Sequence, residues 1–206
     1  MTPLVKSHGG ELGARTEIIP GLQSSLALWQ LRLGSELVFI GDAGDTEASR
    51  ASRRHGVEWS NNWTLQRWLL LDLNLAASKA RFTEDDPAGN YIPGSIDKMA
   101  SLGLTVTDWQ GWFGALQWRY FGPRPLIEDN SQRSSSTSLA YLRVGRQLDP
   151  NVRLSLDVFN LFNRKASDID YYYSSRLAGE PAGGVADRHF HPVEPRTLRA
   201  TLQVKF

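Results

Sequence analysis

Apolar and polar residues alternate with a period of two along most of this chain, and that pattern limits the folds it can adopt. In the last segment Leu198, Ala200, Leu202, Val204 and Phe206 fall on one side, with polar residues between them. Side chains of a β-strand point alternately to its two faces, whereas a helix repeats every 3.6 residues. Helical periodicity is hard to find here, so the sequence predicts an all-β fold.

Turn residues divide the pattern into nine predicted antiparallel, up-and-down strands. The predicted strands cover residues 9–18, 24–39, 53–60, 63–81, 96–106, 111–121, 138–147, 151–162 and 196–206. The predicted connections alternate between short turns (Ile19–Gln23, Asn61-Asn62, Thr107–Gln110, Leu148–Pro150) and long polar loops (Gly41–Ser52, Thr83–Ser95, Gly122–Thr137, Asn163–Pro195). A transmembrane β-barrel has short periplasmic turns and longer extracellular loops. The alternation therefore predicts part of such a barrel.

Composition excludes several other classes of protein. The chain has no cysteine, which removes disulfide scaffolds and thiolate metal sites, and its net charge of +1 gives no reason to expect nucleic acid as a partner. No apolar run approaches the roughly 18 residues of a transmembrane helix. The basic cluster Arg50–Arg54 is predicted to be solvated loop charge, with a phosphate site as the alternative.

The two faces of each predicted strand have different expected surroundings. Apolar rows, including Ala27, Trp29, Leu31 and Leu33 on the second strand, are expected to face lipid. Aromatic girdles are expected near the short turns (Trp59, Trp63, Trp109, Trp112) and near the long loops (Phe39, Phe82, Tyr120, Phe121, Phe159, Phe162). The side chains predicted to face a polar interior are Glu11, Arg15, Glu17, Arg32, Glu36, Arg54, Glu58, Asp72, Arg119, Arg143, Arg153 and Asp157.

The odd number of predicted strands is incompatible with closure of a barrel by these strands alone. With nine strands, the first and the last run in the same direction, whereas bacterial single-chain barrels have even strand numbers and close antiparallel. An open sheet edge is not tolerated in hydrocarbon. We therefore expect residues 1–206 to be part of a larger barrel.

Several segments resemble those of a known family of barrels, most strongly over residues 111–206. Arg119–Leu126 resembles the end of a late strand, and Asp157-Val158-Phe159-Asn160-Leu161-Phe162-Asn163 resembles a penultimate strand. Asp168–Pro181 and His189–Arg196 resemble a last extracellular loop, which is followed by a final strand ending in phenylalanine. The family that these segments resemble is the TonB-dependent receptors.

The resemblance implies a 22-stranded barrel plugged by an N-terminal domain, to which this chain would contribute the last nine strands. Such receptors lie in the bacterial outer membrane and import scarce nutrients, often metal chelates, with energy from a periplasmic TonB-type partner. No plug, energy-coupling box or signal peptide is found in the sequence, so we expect residues 1–206 alone not to be transport-competent. The resemblance implies no cofactor, and the ligand stays open.

Three sets of residues are candidate sites. The last extracellular loop could contact a ligand or pack over the barrel mouth, through Tyr171, Tyr172, Tyr173, Arg176 and Glu180. A weak metal-site candidate is the alternating set Asp187, His189 and His191, for which local hydrogen bonding is the alternative. The strand of Leu198, Ala200, Leu202, Val204 and Phe206 resembles the signal recognised by the outer-membrane assembly machinery, through strand addition.

No catalytic motif is found. Ser134-Ser135-Ser136 lies in a polar loop without a nucleophile elbow, and no phosphate-binding glycine loop occurs. The sequence therefore predicts an outer-membrane receptor or transporter portion rather than an enzyme. An outer-membrane barrel enzyme with a loop-borne Ser/His or Asp/His group is one alternative, and a soluble β-sandwich binding module is the other.

Overall fold

The structure, a computed structural model, describes residues 4–40 and 45–206. Thirteen strands form in these residues: β1 (Ser7–Thr16), β2 (Leu22–Leu33), β3 (Leu37–Ile40), β4 (Asp45–Ala48), β5 (Ser52–Gln66), β6 (Leu69–Phe82), β7 (Lys98–Trp109), β8 (Trp112–Phe121), β9 (Thr137–Asp149), β10 (Val152–Phe159), β11 (Ser167–Ser175), β12 (Val185–Pro192) and β13 (Thr197–Val204). No helix in the described ranges is long and apolar enough to span a membrane.

Nine of these strands build one antiparallel sheet in the order β1-β2-β5-β6-β7-β8-β9-β10-β13, which we call the wall. Each wall strand pairs with the next one along the wall, as the prediction of nine up-and-down strands required. The two other pairs, β3–β4 and β11–β12, are hairpins inside long connections. The sequence prediction had extended the second strand through residue 39, which includes most of β3, and had taken β4 and the β11–β12 segment as polar loops. Residues 41–44 of the first loop lie outside the described residues.

The wall register assigns each side chain to one of two faces. The outer face carries apolar rows such as Leu73–Leu102–Trp118 and Leu142–Val158–Leu198, whose members are cross-strand partners. The inner face carries the charged and polar residues between them. A groove of about 510 Å³ on the inner face is bordered by Thr105 of β7, Arg143 of β9 and Thr201 of β13, so this face is concave.

The register corrects the predicted orientation of the second strand. Leu26 and Leu28 of β2 pair with Trp59 and Val57 of β5 on the outer face, so Trp29 and its alternate neighbours Ala27, Leu31 and Leu33 lie on the inner face. Arg32, predicted to point inward, lies on the outer face for the same reason. The two sets of alternate residues in β2 are both largely apolar, so the pairing with β5 determines which set lies on the outer face. Glu17 and Glu36, also predicted to point inward from strands, lie in connections.

The second short turn was also placed wrongly. Asn61 and Asn62 were predicted to be a turn, but they pair with Leu73 and Asp72 inside β5 and β6. The Asn61 side-chain amide donates a hydrogen bond to the Leu73 carbonyl at 3.3 Å, which supports its place in the strand. The chain reverses instead between Gln66 and Leu69.

Within residues 4–40 and 45–206, no second sheet packs against the wall. Leu104, Leu156 and Leu202 are 37%, 44% and 63% exposed, so these leucines are not sealed inside a sandwich. The buried cluster of Ala80, Phe82 and Ile92 lies instead where the wall meets its long connections. Phe82 was predicted to join a lipid-facing girdle and belongs to this cluster, whereas the Phe39 side chain lies outside the described residues.

Candidate functional site

The four long connections lie at one end of the wall and pack together in what we call the loop layer (residues 34–40, 45–51, 83–97, 122–136 and 160–196). Arg50 links three of them. Its guanidinium donates to the Glu84 and Gly89 carbonyls and to Glu128 Oε2 at 2.5 Å, and it covers the Phe82 ring at 4.3 Å. The basic cluster 50–54, which was predicted to be solvated, is solvated only in part. Arg50 is largely buried and Arg54 binds the buried Glu36, whereas Arg53 is exposed on the outer face.

Loops 83–97 and 122–136 approach each other backbone to backbone. The Tyr91 and Gly94 amides donate to the Glu128 and Pro125 carbonyls at 2.9 and 2.8 Å. Gly89 has a φ of +107°, and a Cβ there would collide with the Glu128 carbonyl. A larger residue at Gly89 would therefore separate the two loops.

The β11–β12 hairpin is attached to this layer by a buried carboxylate. Asp170, 5% exposed, receives a 3.1 Å hydrogen bond from Arg124 of loop 122–136, and Arg188 of β12 approaches its other oxygen at 3.9 Å. Neither Arg124 nor Asp170 was singled out by the sequence analysis. Their pairing depends on two loops meeting 46 residues apart, for which the sequence carries no local signal.

The Asn-Leu-Phe-Asn motif closes the base of the hairpin connection. Asn160 and Asn163 adopt φ of +47° and +48°, which asparagine tolerates better than most residues. The buried Asn160 side chain donates to the Arg164 and Glu194 carbonyls at 3.0 Å and accepts from the Arg164 amide. Asn163 accepts from the Arg196 amide. One short motif thus fastens both ends of connection 160–196.

A small cavity of about 140 Å³ lies where all four connections meet. Its lining includes Val38, Pro93, Leu126 and Arg124, together with the segment Ile169–Tyr173 of β11. Three of the predicted ligand-contacting residues, Tyr171, Tyr172 and Tyr173, therefore border the same cavity. Aromatic walls with one buried ion pair can bind a small organic group, since such sites combine apolar surface with a few placed polar atoms.

The other two predicted ligand contacts lie at the tip of the hairpin. Arg176 donates to the Glu180 carbonyl at 3.2 Å, and the Glu180 carboxylate accepts from the Leu177 amide at 2.6 Å. These bonds shape the turn between β11 and β12. The structure does not bring Arg176 or Glu180 to the cavity.

The predicted metal candidates Asp187, His189 and His191 alternate along β12. The His189 ring stacks on Tyr173 at 3.8 Å, and its Nε2 lies 2.7 Å from Ser175 Oγ. Within residues 4–40 and 45–206, no three His, Asp or Glu side chains converge to hold a metal ion. His189 makes the kind of local hydrogen bond that was weighed as the alternative.

The contact between Ser175 and His189 bears on the alternative of a barrel enzyme. A nucleophilic serine needs a histidine that a third group orients through its other nitrogen. His189 Nδ1 is buried, and no atom of the described residues hydrogen-bonds to it. The pair thus lacks the orienting group that the chemistry requires.

Comparison with known proteins decides the family. Residues 5–161 match the family described as TonB dependent receptor-like, beta-barrel. The chain belongs to the TonB-dependent receptor β-barrel family. This is a family of outer-membrane receptors and transporters rather than enzymes, so the wall lies in the bacterial outer membrane.

Solved receptors of this family share the fold. The chain superposes on the ferric yersiniabactin uptake receptor FyuA of Yersinia pestis with a TM-score of 0.76 at 21% identity, covering 98% of this chain and 30% of that one. On the copper transporter OprC it superposes with a TM-score of 0.72 at 22% identity, covering 98% of this chain and 32% of that one. On the ferric-catecholate import receptor Fiu of E. coli K12 the TM-score is 0.71 at 19% identity, and the match covers 98% of this chain and 28% of that one. The chain thus spans about 30% of the length of the FyuA structure.

Proposed function

We propose that residues 1–206 form the C-terminal part of an outer-membrane receptor that takes up a scarce nutrient, such as a metal chelate. A plug domain contributed outside these residues would contact a TonB-type energy coupler. The observation that carries the proposal is the cavity at the loop end, because all four long connections contribute to it. An uptake receptor captures its ligand at the outer face, which is where these loops lie.

Tyr172 is the side chain we propose for ligand contact. It borders the cavity, and its hydroxyl makes one long hydrogen bond of 3.4 Å to the Ala186 carbonyl. An aromatic side chain with a polar tip can stack on a ligand ring and hydrogen-bond to it. The Tyr173 ring stacks on His189, so we assign Tyr173 to packing within the hairpin and not to ligand contact.

Uptake measurements test the receptor proposal. Two strains would be compared: one that lacks the gene, and the same strain complemented with the gene. The uptake measured is that of radiolabelled iron bound to catecholate, citrate or phenolate chelators, and that of copper. We expect uptake of one of these to require both the gene and a functional energy coupler. Equal uptake by the deleted and complemented strains for the whole panel would contradict nutrient import of this kind.

A variant pair localises the ligand contact. Tyr172→Ala should weaken uptake affinity by about tenfold, as expected for loss of an aromatic contact worth about 1.4 kcal/mol. Arg176→Gln, at the hairpin tip, is the matched control and should leave affinity unchanged. If Arg176→Gln weakens affinity and Tyr172→Ala does not, ligand contact lies at the hairpin tip and the cavity assignment is wrong.

The C-terminal strand is proposed to serve assembly. β13 is an edge of the wall, and Leu198, Leu202 and Val204 are exposed on its outer face. A free edge with one apolar face suits recognition by strand addition. Replacing Phe206 by serine should lower the amount of protein reaching the outer membrane without changing its synthesis, measured by membrane fractionation; unchanged amounts would contradict this role.

A further inference from the structure

Arginines gather on the inner face of one half of the wall. The register places Arg119 of β8, Arg143 of β9, Arg153 of β10 and Arg199 of β13 on this face. In the cross-strand rows from Arg119 to Arg153, the described residues contribute one inner-face carboxylate, Asp157, which lies directly between Arg143 and Arg199. Four arginines and one carboxylate give these rows a net charge of +3. A concave surface of one charge attracts ions of the opposite charge.

The other half of the inner face has the opposite balance. The strands β1, β5 and β6 carry Glu11, Glu58 and Asp72 on this face, together with Arg15 and Arg54. Three carboxylates and two arginines give a net charge of −1 there. The excess of positive charge is therefore confined to the strands from β8 to β13.

The groove of about 510 Å³ on the inner face lies in this arginine-rich half. Arg143 and Arg153 both border it, and hydroxyl groups of Ser155 and Thr201 lie in the row between them. The rows of Arg143 and Arg153 are four residues apart along β10, or about 14 Å at 3.4 Å per residue. Two arginine side chains reach into this space from its two ends, so a molecule with two acidic groups can contact both.

An aromatic platform holds Arg153 beside the groove. Its guanidinium lies 3.5 Å from the centroid of the Phe113 ring. That ring lies across Gly145, where a Cβ would collide with it. Within residues 4–40 and 45–206, Arg153 forms no ion pair. Stacking on a ring leaves the N–H groups at the edge of a guanidinium available, and their fork matches a carboxylate or a phosphate.

Arg143 is only partly satisfied by its neighbour. Its Nε donates to Asp157 Oδ1 at 2.5 Å, and its side chain is 56% exposed. A guanidinium has five N–H donors, so this contact leaves donors for a second acceptor. Asp157 fixes the direction of Arg143 and, as a like charge, also opposes a bound anion.

The groove is separate from the cavity in the loop layer. Arg153 is the second residue of β10 after a short turn, and Phe159 ends the same strand at the loop layer. Six residues of strand correspond to about 20 Å. Since short turns are periplasmic in such barrels, the groove lies on the periplasmic side of the cavity.

We propose that this groove is a second binding site for the imported nutrient, and that it binds carboxylate or phosphate groups of that nutrient. Arg143 and Arg153 would each bind one acidic group, and the Ser155 and Thr201 hydroxyls would donate to the remaining oxygens. Arginine side chains that line a pore select anions in the same way. The inference rests on the proposed uptake function and narrows the nutrient to an anionic class.

A binding measurement on the chain, extracted from outer membranes in a neutral detergent, tests the site without transport. The probes are citrate, inorganic phosphate and the uncharged trimethyl ester of citrate, titrated by calorimetry at low and high salt. The site variant is R143Q/R153Q. The control R15Q/R67Q lowers the formal charge by the same two units, at exposed positions on the short-turn side of the other half. The variant D157N removes the carboxylate that opposes a bound anion.

We expect R143Q/R153Q to bind citrate about 30-fold more weakly, because each arginine donates charge-assisted hydrogen bonds. The control should stay within about twofold, since its charges are distant and screened. D157N should bind citrate roughly threefold more tightly, a gain that an unfolded protein cannot show. If R143Q/R153Q fails to fold, this gain and the ester comparison on the unmodified chain decide. Equal binding of citrate and its ester, or equal losses in the site and control variants, would overturn the proposal. Phosphate binding without citrate binding would also overturn it, because a single small anion does not need both arginines.

Uptake by cells separates this inference from the function on which it rests. In the strain complemented with R143Q/R153Q, we expect uptake of the imported nutrient to fall about tenfold at a saturating external concentration, while its binding to the cell surface is unchanged. Uptake that requires the gene but is equal in the complemented R143Q/R153Q and unmodified strains would overturn the second site and leave the receptor proposal standing. Failure of the receptor proposal looks different, since uptake would then be independent of the gene.

Discussion

The wall and the loop layer are stabilised in different ways. In the loop layer, Ile92 and Leu126 are at most 6% exposed, and polar groups such as Asp170 and Asn160 are buried and hydrogen-bonded. In the wall, outer-face leucines such as Leu104, Leu156 and Leu202 are 37%, 44% and 63% exposed to the surroundings of the protein. A single sheet has no second layer to cover its faces. Lipid and the polar interior take that role, so a substitution in the wall should depend on the surroundings far more than one in the loop layer.

Removal of the buried carboxylate should have the largest effect. Asp170→Ala leaves the Arg124 guanidinium, whose side chain is 13% exposed, without its counterion. Breaking a buried ion pair in this way costs about 3 kcal/mol. We expect a lower urea midpoint in detergent and faster amide hydrogen exchange in residues 167–192. Asp187→Ala, an exposed carboxylate of the same hairpin, is the control and should change stability by about 0.5 kcal/mol or less. Equal effects of the two variants would show that the Arg124 pair does not hold the hairpin.

The Asn160 turn should come next. Asn160→Ala removes two donated hydrogen bonds and one accepted one, at roughly 1 kcal/mol each for the donated bonds, and strains a φ of +47°. We expect a loss of about 2 to 3 kcal/mol, measured by urea unfolding in detergent. Asn160→Gly keeps the backbone conformation accessible and should recover about 1 kcal/mol of that loss. A glycine variant no more stable than the alanine variant would remove backbone strain from the explanation.

The wall was largely predictable because its information is local. Period-two patterns and turn residues predict all nine strands. Alternate positions of a strand face lipid and the polar interior, so the surroundings require apolar and polar residues at alternate positions. The failures occurred where parity is ambiguous. Both alternating sets of β2 contain leucines, so Trp29 and Leu31 were assigned to the wrong face, and the pair Asn61-Asn62 has turn composition although it lies inside β5.

The loop layer was much less predictable. The resemblance marked Asn160 and Asn163 as a motif, but not the hydrogen bonds by which they close the connection. Arg50, Arg124 and Asp170 owe their burial to contacts between segments 34 to 78 residues apart. Such contacts have no periodicity that a single sequence could reveal. The neighbourhood of Arg32, Arg53 and Arg81 could not be predicted for a related reason, because these residues are brought side by side only by the register of three strands.

An ion pair on the inner face of the wall should contribute less than the pair in the loop layer. Arg143 Nε donates to Asp157 Oδ1 at 2.5 Å, but the Arg143 side chain is 56% exposed. Solvent screens such a pair, so Asp157→Asn should cost about 1 kcal/mol. The coupling energy from a double-mutant cycle with Arg143→Gln, compared with the Asp170–Arg124 cycle, measures the difference. Coupling at Asp157 as large as at Asp170 would mean that the inner face is as well shielded as the loop layer.

Truncation of an outer-face leucine should have the smallest effect and show most directly how the two regions differ. Leu156 is 44% exposed, and a lipid tail can fill part of the space that Leu156→Ala opens, so we expect about 0.5 to 1 kcal/mol in a bilayer. Leu126, at 6% exposure in the loop layer, is not in contact with lipid tails, and Leu126→Ala should cost about 3 kcal/mol in any detergent or bilayer. The measurement is urea unfolding of both variants in short-chain and long-chain lipids. If the cost at Leu156 equals that at Leu126 and does not change with the lipid, the outer face packs against protein and not against the membrane.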